Sequence, residues 1–213
     1  MIEKPTKHLI TMTQHNALAI IEGRKTQTRR ALRHQPPKVI IESHTHRSIK
    51  TSKGDQLHWI HAALPRQVCP YGEPGHELWI QEPYRVVQRC DDYAYVRYLC
   101  DGQVIQRHIP KTHLSKPSSN VRQSYLPGRF MPWWAVRTKR IVTAVKAERL
   151  KDISGFDAEA EGIKLDFPGG HHGAYKRARR AFFKLWDSIN KRRGYSTAVN
   201  PWVWAIAFKQ KDS

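Results

Sequence analysis

The sequence predicts an α+β fold, a small β-barrel decorated with about three helices. Three observations carry that prediction. Strands with hairpin signals recur through the middle of the chain. One long strand changes the phase of its alternation near Arg140-Ile141-Val142, as a bulge or sharp bend in a small barrel does. Three segments carry helix caps or a helical apolar stripe. Regular βαβ alternation, which a doubly wound sheet needs, is missing. At 213 residues the chain is expected to form a single domain, 1–213, with a surface insertion at about 31–74 and a loop at about 111–128.

The elements follow in order. Residues 9–12 read as a short first strand. Thr13 is an N-cap for a helix reaching Glu22, in which Ala17, Leu18 and Ile21 recur at helical spacing. Gly23 falls where such a helix ends in the left-handed conformation, and Thr26, Gln27 and Thr28 are strand-tolerant. From 31 to 74, prolines and histidines break any period, with a hairpin signal at Lys53-Gly54-Asp55 leading into 57–60. Gly75 turns into a β-prone run, 76–82. Residues 93–99 form a strand that Asp101-Gly102 joins to another at 104–109. Met131-Pro132-Trp133-Trp134 opens the long strand, which runs to Ala147. Ser154-Gly155-Phe156-Asp157 has capping-box spacing and starts a short helix that stops at Gly162. After a flexible loop at 167–173, Ala178, Phe182, Leu185, Trp186 and Ile189 form one helical stripe, with Lys176, Arg180 and Lys184 on the opposite side. Residues 201–208 are apolar on both faces, as in a central strand.

A mean hydropathy of −0.66 is low, yet seven Trp, eight Tyr and six Phe supply a core. The formal net charge of +19 makes a field that attracts polyanions, nucleic acid first among them. No run of about 18 apolar residues and no wide apolar helical face exists, which argues against a membrane partner. Residues 1–7 are polar with no apolar segment behind them, so no secretory signal is expected and the cytoplasm is the expected compartment. Cys69, Cys90 and Cys100 are odd in number and lack C-x-x-C spacing, which fits neither a disulfide framework nor a cysteine zinc site. The couples His44/His46, His58/His61 and His171/His172 meet no metal-ligand spacing. Neither a metal nor a cofactor is expected, and the chain is expected to be a monomer.

The stretch Gly23-Arg24-Lys25-Thr26-Gln27-Thr28-Arg29-Arg30 places a helix end, a lysine and two hydroxyls together. That suits chemistry or anion binding; the same residues also read as a solvated basic turn. A threonine hydroxyl is inert until a neighbour takes its proton. A lysine does this only when burial or nearby cations lower its pKa, and Arg24, Arg29 and Arg30 are such cations. Lys25 and Thr28 face opposite ways in a regular strand, so they cooperate only if Lys25 lies in the turn after Gly23. Glu161 stands in the last helical turn before Gly162, where a carboxylate opposes the helix dipole at a cost of about 0.3–1 kcal/mol. Such a violation marks a functional or strained site, or a plain ion pair with a surface lysine. Arg129-Phe130-Met131-Pro132-Trp133-Trp134 and Arg192-Arg193-Gly194-Tyr195 interleave cations with rings, the logic of single-strand and nucleoside recognition. One of the two tryptophans faces away from the core if the segment is a strand, or both are buried at a bend.

Several of these motifs together resemble a known family. Gly-Arg-Lys-Thr-Gln-Thr-Arg-Arg (23–30), Pro-Gly-x-Glu-Leu-Trp (74–79), Met-Pro-x-Trp-Ala-x-Arg (131–137), Asp-Ile-Ser…Ala-Glu-Gly-Ile (152–163) and Leu-Trp-Asp-Ser-Ile-Asn…Asn-Pro-Trp-Val-Trp (185–204) are similar to ASCH-domain proteins of bacteriophages and prophages. The resemblance covers nearly the whole chain in order. It implies a PUA-like β-barrel with a cleft at the helix–strand junction, and a role with RNA or nucleosides. One branch of the family comprises small amidohydrolases that remove the acetyl group from N4-acetylcytidine. Likeness to them implies that Thr28 attacks the acetyl carbon, Lys25 accepts its proton, Glu161 handles the proton of the leaving amine, and Arg30 holds the oxyanion or the base. The expected substrate- or nucleic-acid-binding residues are Arg24, Arg29, Arg30, Arg129, Trp133, Trp134, Arg137, Lys176 and Arg180. The chain is about twice as long as those minimal enzymes. Trp133, Val136 and His76 stand where the phage-type pattern has arginine, serine and aspartate, and position 133 is expected to border the cleft. Other family members are RNA-cleaving, and a phage morphogenesis or host-interaction role is the non-enzymatic alternative.

Overall fold

In the computed structural model, which describes residues 6–35, 68–113, 125–164 and 171–211, eight strands form two sheets alongside three α-helices. The strands are Lys7–Thr11 (β1), Gln27–Ala31 (β2), Glu77–Gln81 (β3), Tyr84–Arg89 (β4), Tyr93–Tyr98 (β5), Val104–His108 (β6), Thr138–Arg149 (β7) and Trp202–Gln210 (β8). The helices are Gln14–Ile21 (α1), Gly155–Ala160 (α2) and His171–Asn190 (α3). The larger sheet has the order β1-β3-β7-β8-β2, with β1 parallel to β3 and the other pairs antiparallel. The smaller sheet is the meander β4-β5-β6. No described helix is long and apolar enough to cross a membrane.

The α+β class and the three helices stand, but the closed barrel does not form. Both β1 and β2 are edge strands, and no ladder joins them. Helix α1 connects the two edge strands in sequence and buries Ala17, Ala19 and Ile20. A side chain crosses the remaining gap: Arg30 Nη2 donates to the Thr11 carbonyl at 2.5 Å. The anticipated irregularity in the long strand is present, as a register shift between Val142 and Ala144.

That strand begins at Thr138 and not at Met131. Pro132 has no amide hydrogen to enter a ladder, and residues Trp133–Ala135 close a 3-10 turn instead, with the Ala135 N–H donating to the Pro132 carbonyl at 3.0 Å. Strand β4 has no counterpart in the sequence reading, because a register shift between Val86 and Gln88 breaks its alternation. Gly173, expected in a loop, lies in the first turn of α3. At the ends of the expected insertion, Ala31 belongs to β2, Leu32 and Cys69 are buried, and Tyr71 packs on the core. Residues 36–67, with the hairpin signal at 53–55 and the couples His44/His46 and His58/His61, lie outside the described residues. So do 114–124, 165–170 and the side chains of His171 and His172. Lys111–His113 is a 3-10 turn, and Leu126 makes an isolated bridge with Tyr84.

Three apolar clusters result. One fills the inner face of the large sheet under α1, with Ile10, Ile20, Leu78, Ile80 and Ile206. A second joins the small sheet to the turn at 131–136. The third lies between β8 and the helices α2 and α3, built on Val203, Ala158, Phe182 and Trp186.

Candidate functional site

The site is assembled by two helix ends that meet. Thr13 caps α1 by accepting the Asn16 N–H at 3.3 Å, and Gly23 takes φ +75° just past the C-cap Glu22. This turns the chain back on itself, so the Lys25 N–H donates to the Ala19 carbonyl at 2.9 Å. Helix α2 starts with the expected capping box of Ser154 and Asp157 and ends at Gly162, with φ +91°. The positive φ favours glycine at 162, and a Cβ there would press against the side chains of Ala19 and Lys25 at 3.2 Å. The two ends join as an isolated antiparallel bridge between Lys25 and Glu161, with the Thr26 N–H donating to the Ala160 carbonyl at 2.9 Å.

Lys25 Nζ donates to Glu161 Oε2 at 2.6 Å and to the Glu161 carbonyl at 2.8 Å. The lysine is only 3% exposed and the glutamate 5%. Arg29 Nη1 donates to the other carboxylate oxygen, Glu161 Oε1, at 3.2 Å. Two cations therefore offset the unfavourable position of a carboxylate at a helix C-terminus. Burial lowers the Lys25 pKa from its ordinary 10.5; Glu161 opposes that shift, and the charges of Arg30 and Arg29 reinforce it. The solvated-turn reading of Lys25 is thereby replaced: this is a dry pair.

Alternation along β2 sorts its residues. Thr28 and Arg30 lie opposite Ile206 and Trp204, while Arg29 lies opposite Ala205. With Lys25 and Glu161, Thr28 and Arg30 line a cleft of about 560 Å³, a size suited to a small organic ligand. Rings contribute much of its wall: Tyr71, Phe182, Trp186, Tyr195 and Trp204. Arg33, His34 and Arg193 line it further along. A hydroxyl, an amine of lowered basicity and a carboxylate share this wall, the equipment of a nucleophile with a proton acceptor and a proton carrier.

Not every expected residue joins them. Arg29 lines the cleft but is a clamp more than a ligand contact. Its Nε donates to Glu148 Oε1 at 2.8 Å, its Nη1 to Gln27 Oε1 at 2.7 Å, and Asp157 lies 3.5 Å away. Arg24 pairs with Glu22 and donates to the Gly162 carbonyl at 3.3 Å, outside the cleft lining. Arg137 is sequestered, both its Nε and Nη2 donating to the fully buried Glu82. Trp133 does not border the cleft: it is 47% exposed, tilted against Trp79 at 6.5 Å and edge-on to His113 at 6.1 Å. Trp134 packs on the small-sheet cluster, and Arg129 lies over Phe130. Lys176 and Arg180 are exposed on α3, away from the lining.

Some cleft residues had a signal in the sequence and others none. Arg193 and Tyr195 belong to an interleaved cation–ring stretch. Phe182 and Trp186 belong to the α3 stripe, which reads as core. Tyr71, and Glu148 behind Arg29, carry no sequence signal for this site. Among the described residues, no group of three or more His, Cys, Asp or Glu is placed to hold a metal ion. Comparison of the chain with protein-family models, curated proteins and solved structures yields no match.

Proposed function

We propose that the cleft along β2 binds RNA or a nucleoside and hydrolyses an N-acyl amide on the base, in the manner of the PUA-like ASCH amidohydrolases that the motifs resemble. The observation that carries this reading is the buried Lys25–Glu161 pair, 2.6 Å across, in the same cleft wall as Thr28. A PUA-like fold is part of the proposal; the bulged β7 and the side-chain closure from Arg30 to Thr11 favour it.

In the proposed reaction, neutral Lys25 takes the proton of the Thr28 hydroxyl as its oxygen attacks the acyl carbon. Arg30 faces the oxyanion that forms. Glu161 relays the proton from Lys25 to the departing exocyclic amine, leaving an ester on Thr28. Water then attacks the ester, its proton passes through Lys25 to the departing Thr28 oxygen, and the acid leaves and ionises to acetate. The test is acetate release from N4-acetylcytidine, abolished by Lys25→Ala and by Glu161→Gln. A nucleoside left intact by purified protein over hours sinks the hydrolytic part. The binding part stands on the +19 charge and predicts single-stranded RNA affinity that falls steeply with salt.

A further inference from the structure

The charges along the cleft do not balance. Its lining cations Lys25 and Arg29 are matched by Glu161, Glu148 and Asp157. Arg30, Arg33 and Arg193 line the same cleft, and among the described residues none of them has a carboxylate partner. Among the described residues, Glu161 is the one carboxylate that lines the cleft. Arg30 Nε is shielded from solvent with no hydrogen-bond partner among the described residues, an arrangement that is costly until an acceptor arrives. Burial lowers the Arg30 pKa; Tyr71 and Glu161 oppose that shift, and the charge of Arg193, which lines the same cleft, adds to it.

We propose that Arg33 and Arg193, beside Arg30, form a phosphate subsite, so that the ligand of this cleft is a phosphorylated nucleoside. The proposal rests on reading the cleft as a nucleoside site. Guanidinium groups match phosphate oxygens in pairs, and a dianion at Arg193 relieves its repulsion of Arg30. Thr28 and Arg30 project from one face of β2 about 7 Å apart along the strand, with Arg33 beyond. The phosphate end of the ligand thus lies away from the Lys25–Glu161 end, as the phosphate of a nucleotide lies away from the exocyclic amine of its base.

Titration calorimetry with cytidine, cytidine 5′-monophosphate and inorganic phosphate tests this without turnover. The monophosphate is expected to bind on the order of tenfold tighter than cytidine at low salt. Arg33→Gln with Arg193→Gln should bring the two to parity; both side chains are exposed, so the fold should survive. Lys184→Gln, which removes a charge from the far side of α3, should keep the preference. Equal affinities in the native protein, or a preference that outlives the double variant, overturn the subsite. Phosphate binding that needs Arg33 and Arg193, with no binding of cytidine, supports the subsite and sinks the nucleoside reading instead. A short cytidine oligonucleotide with and without its 5′ phosphate separates a terminal phosphate from the phosphodiesters of a strand. Preference for the phosphorylated end supports the mononucleotide form, and equal, arginine-dependent binding of both supports the strand form.

Discussion

Among the described residues, two buried arginine networks treat their neighbours in opposite ways. Around Arg137, one guanidinium meets two carboxylates: Glu82 accepts from Nε at 2.9 Å and from Nη2 at 3.0 Å, and Asp101 from Nη1 at 2.8 Å. Gln103 accepts too, Cys100 Sγ lies 3.0 Å from Nη2, and the group sits 4.0 Å over the Tyr98 ring. Glu82 follows β3, Arg137 precedes β7 and Asp101 turns the β5–β6 hairpin, so the cluster ties the two sheets together. Around Arg29 the carboxylate Glu161 is shared with a second cation, Lys25, and the pair lines a cleft. Burial pushes Cys100 and Tyr98 up to about 12, with Glu82 adding to the rise at Cys100, which makes both inert at neutral pH. The same burial pushes Lys25 down, toward the neutral amine that a proton acceptor needs. Saturation makes a joint; a shared carboxylate beside a cleft makes a candidate catalyst.

Arg137→Met should show the largest effect, because it leaves Glu82 buried without its cation. A loss of about 3–5 kcal/mol in chemical denaturation is expected. Glu161→Gln should cost the fold less, because Lys25, already depressed, can give up its proton once the carboxylate is gone, and it removes the chemistry. The amide oxygen still accepts from Lys25, while acetate release falls about a hundredfold or more. If Glu161→Gln unfolds the protein as badly as Arg137→Met, with no selective loss of activity, the contrast between joint and catalyst is lost.

The two networks also titrate in separate windows. Burial raises the Asp101 pKa, but bonds from Arg137 and the Gln103 amide outweigh it and leave the net value below 3.8. A carboxyl depressed in the folded state contributes stability that is present above pH 3.8 and lost as pH falls through its folded value. Lys25 is also depressed, below 10.5, so between its folded value and 10.5 the unfolded chain holds the extra proton. Its contribution to stability therefore rises with pH across that alkaline window. Denaturation midpoints followed against pH should lose the alkaline rise in Lys25→Met and keep the acid limb. The hydrolytic rate should rise with pH through the same lowered Lys25 value, below 10.5.

The cleft's chemistry was more legible in the sequence than its walls. Thr13, Gly23, Ser154 and Gly162 are local signals, read within four residues of themselves, and all four act as read. Glu161 was legible because it breaks a local rule, and its partners restore the balance. The ion pairs of Arg29 are illegible for the opposite reason: nothing local separates it from Arg30, and Glu148, which accepts from it, lies 119 positions away. The same holds for Arg137, whose partner Glu82 is 55 positions away. The closed barrel was illegible because closure is a property of two distant edges, β1 and β2, which no local signal joins.

Trp133 gives the smallest expected effect and the sharpest check on that last lesson. Motif position suggested a cleft residue; Pro132 instead sets a 3-10 turn that leaves the ring half exposed against Trp79 and His113. An exposed ring of this kind holds little of the fold, so Trp133→Ala should change stability by about 0.5 kcal/mol or less. Cytidine affinity should hold within about twofold, since no cleft wall is touched. Affinity for single-stranded RNA is the informative readout. A drop there, with cytidine binding intact, makes the Trp133 surface a stacking platform separate from the cleft. A several-fold drop in cytidine binding would instead return Trp133 to the cleft and undo the separation of the two regions.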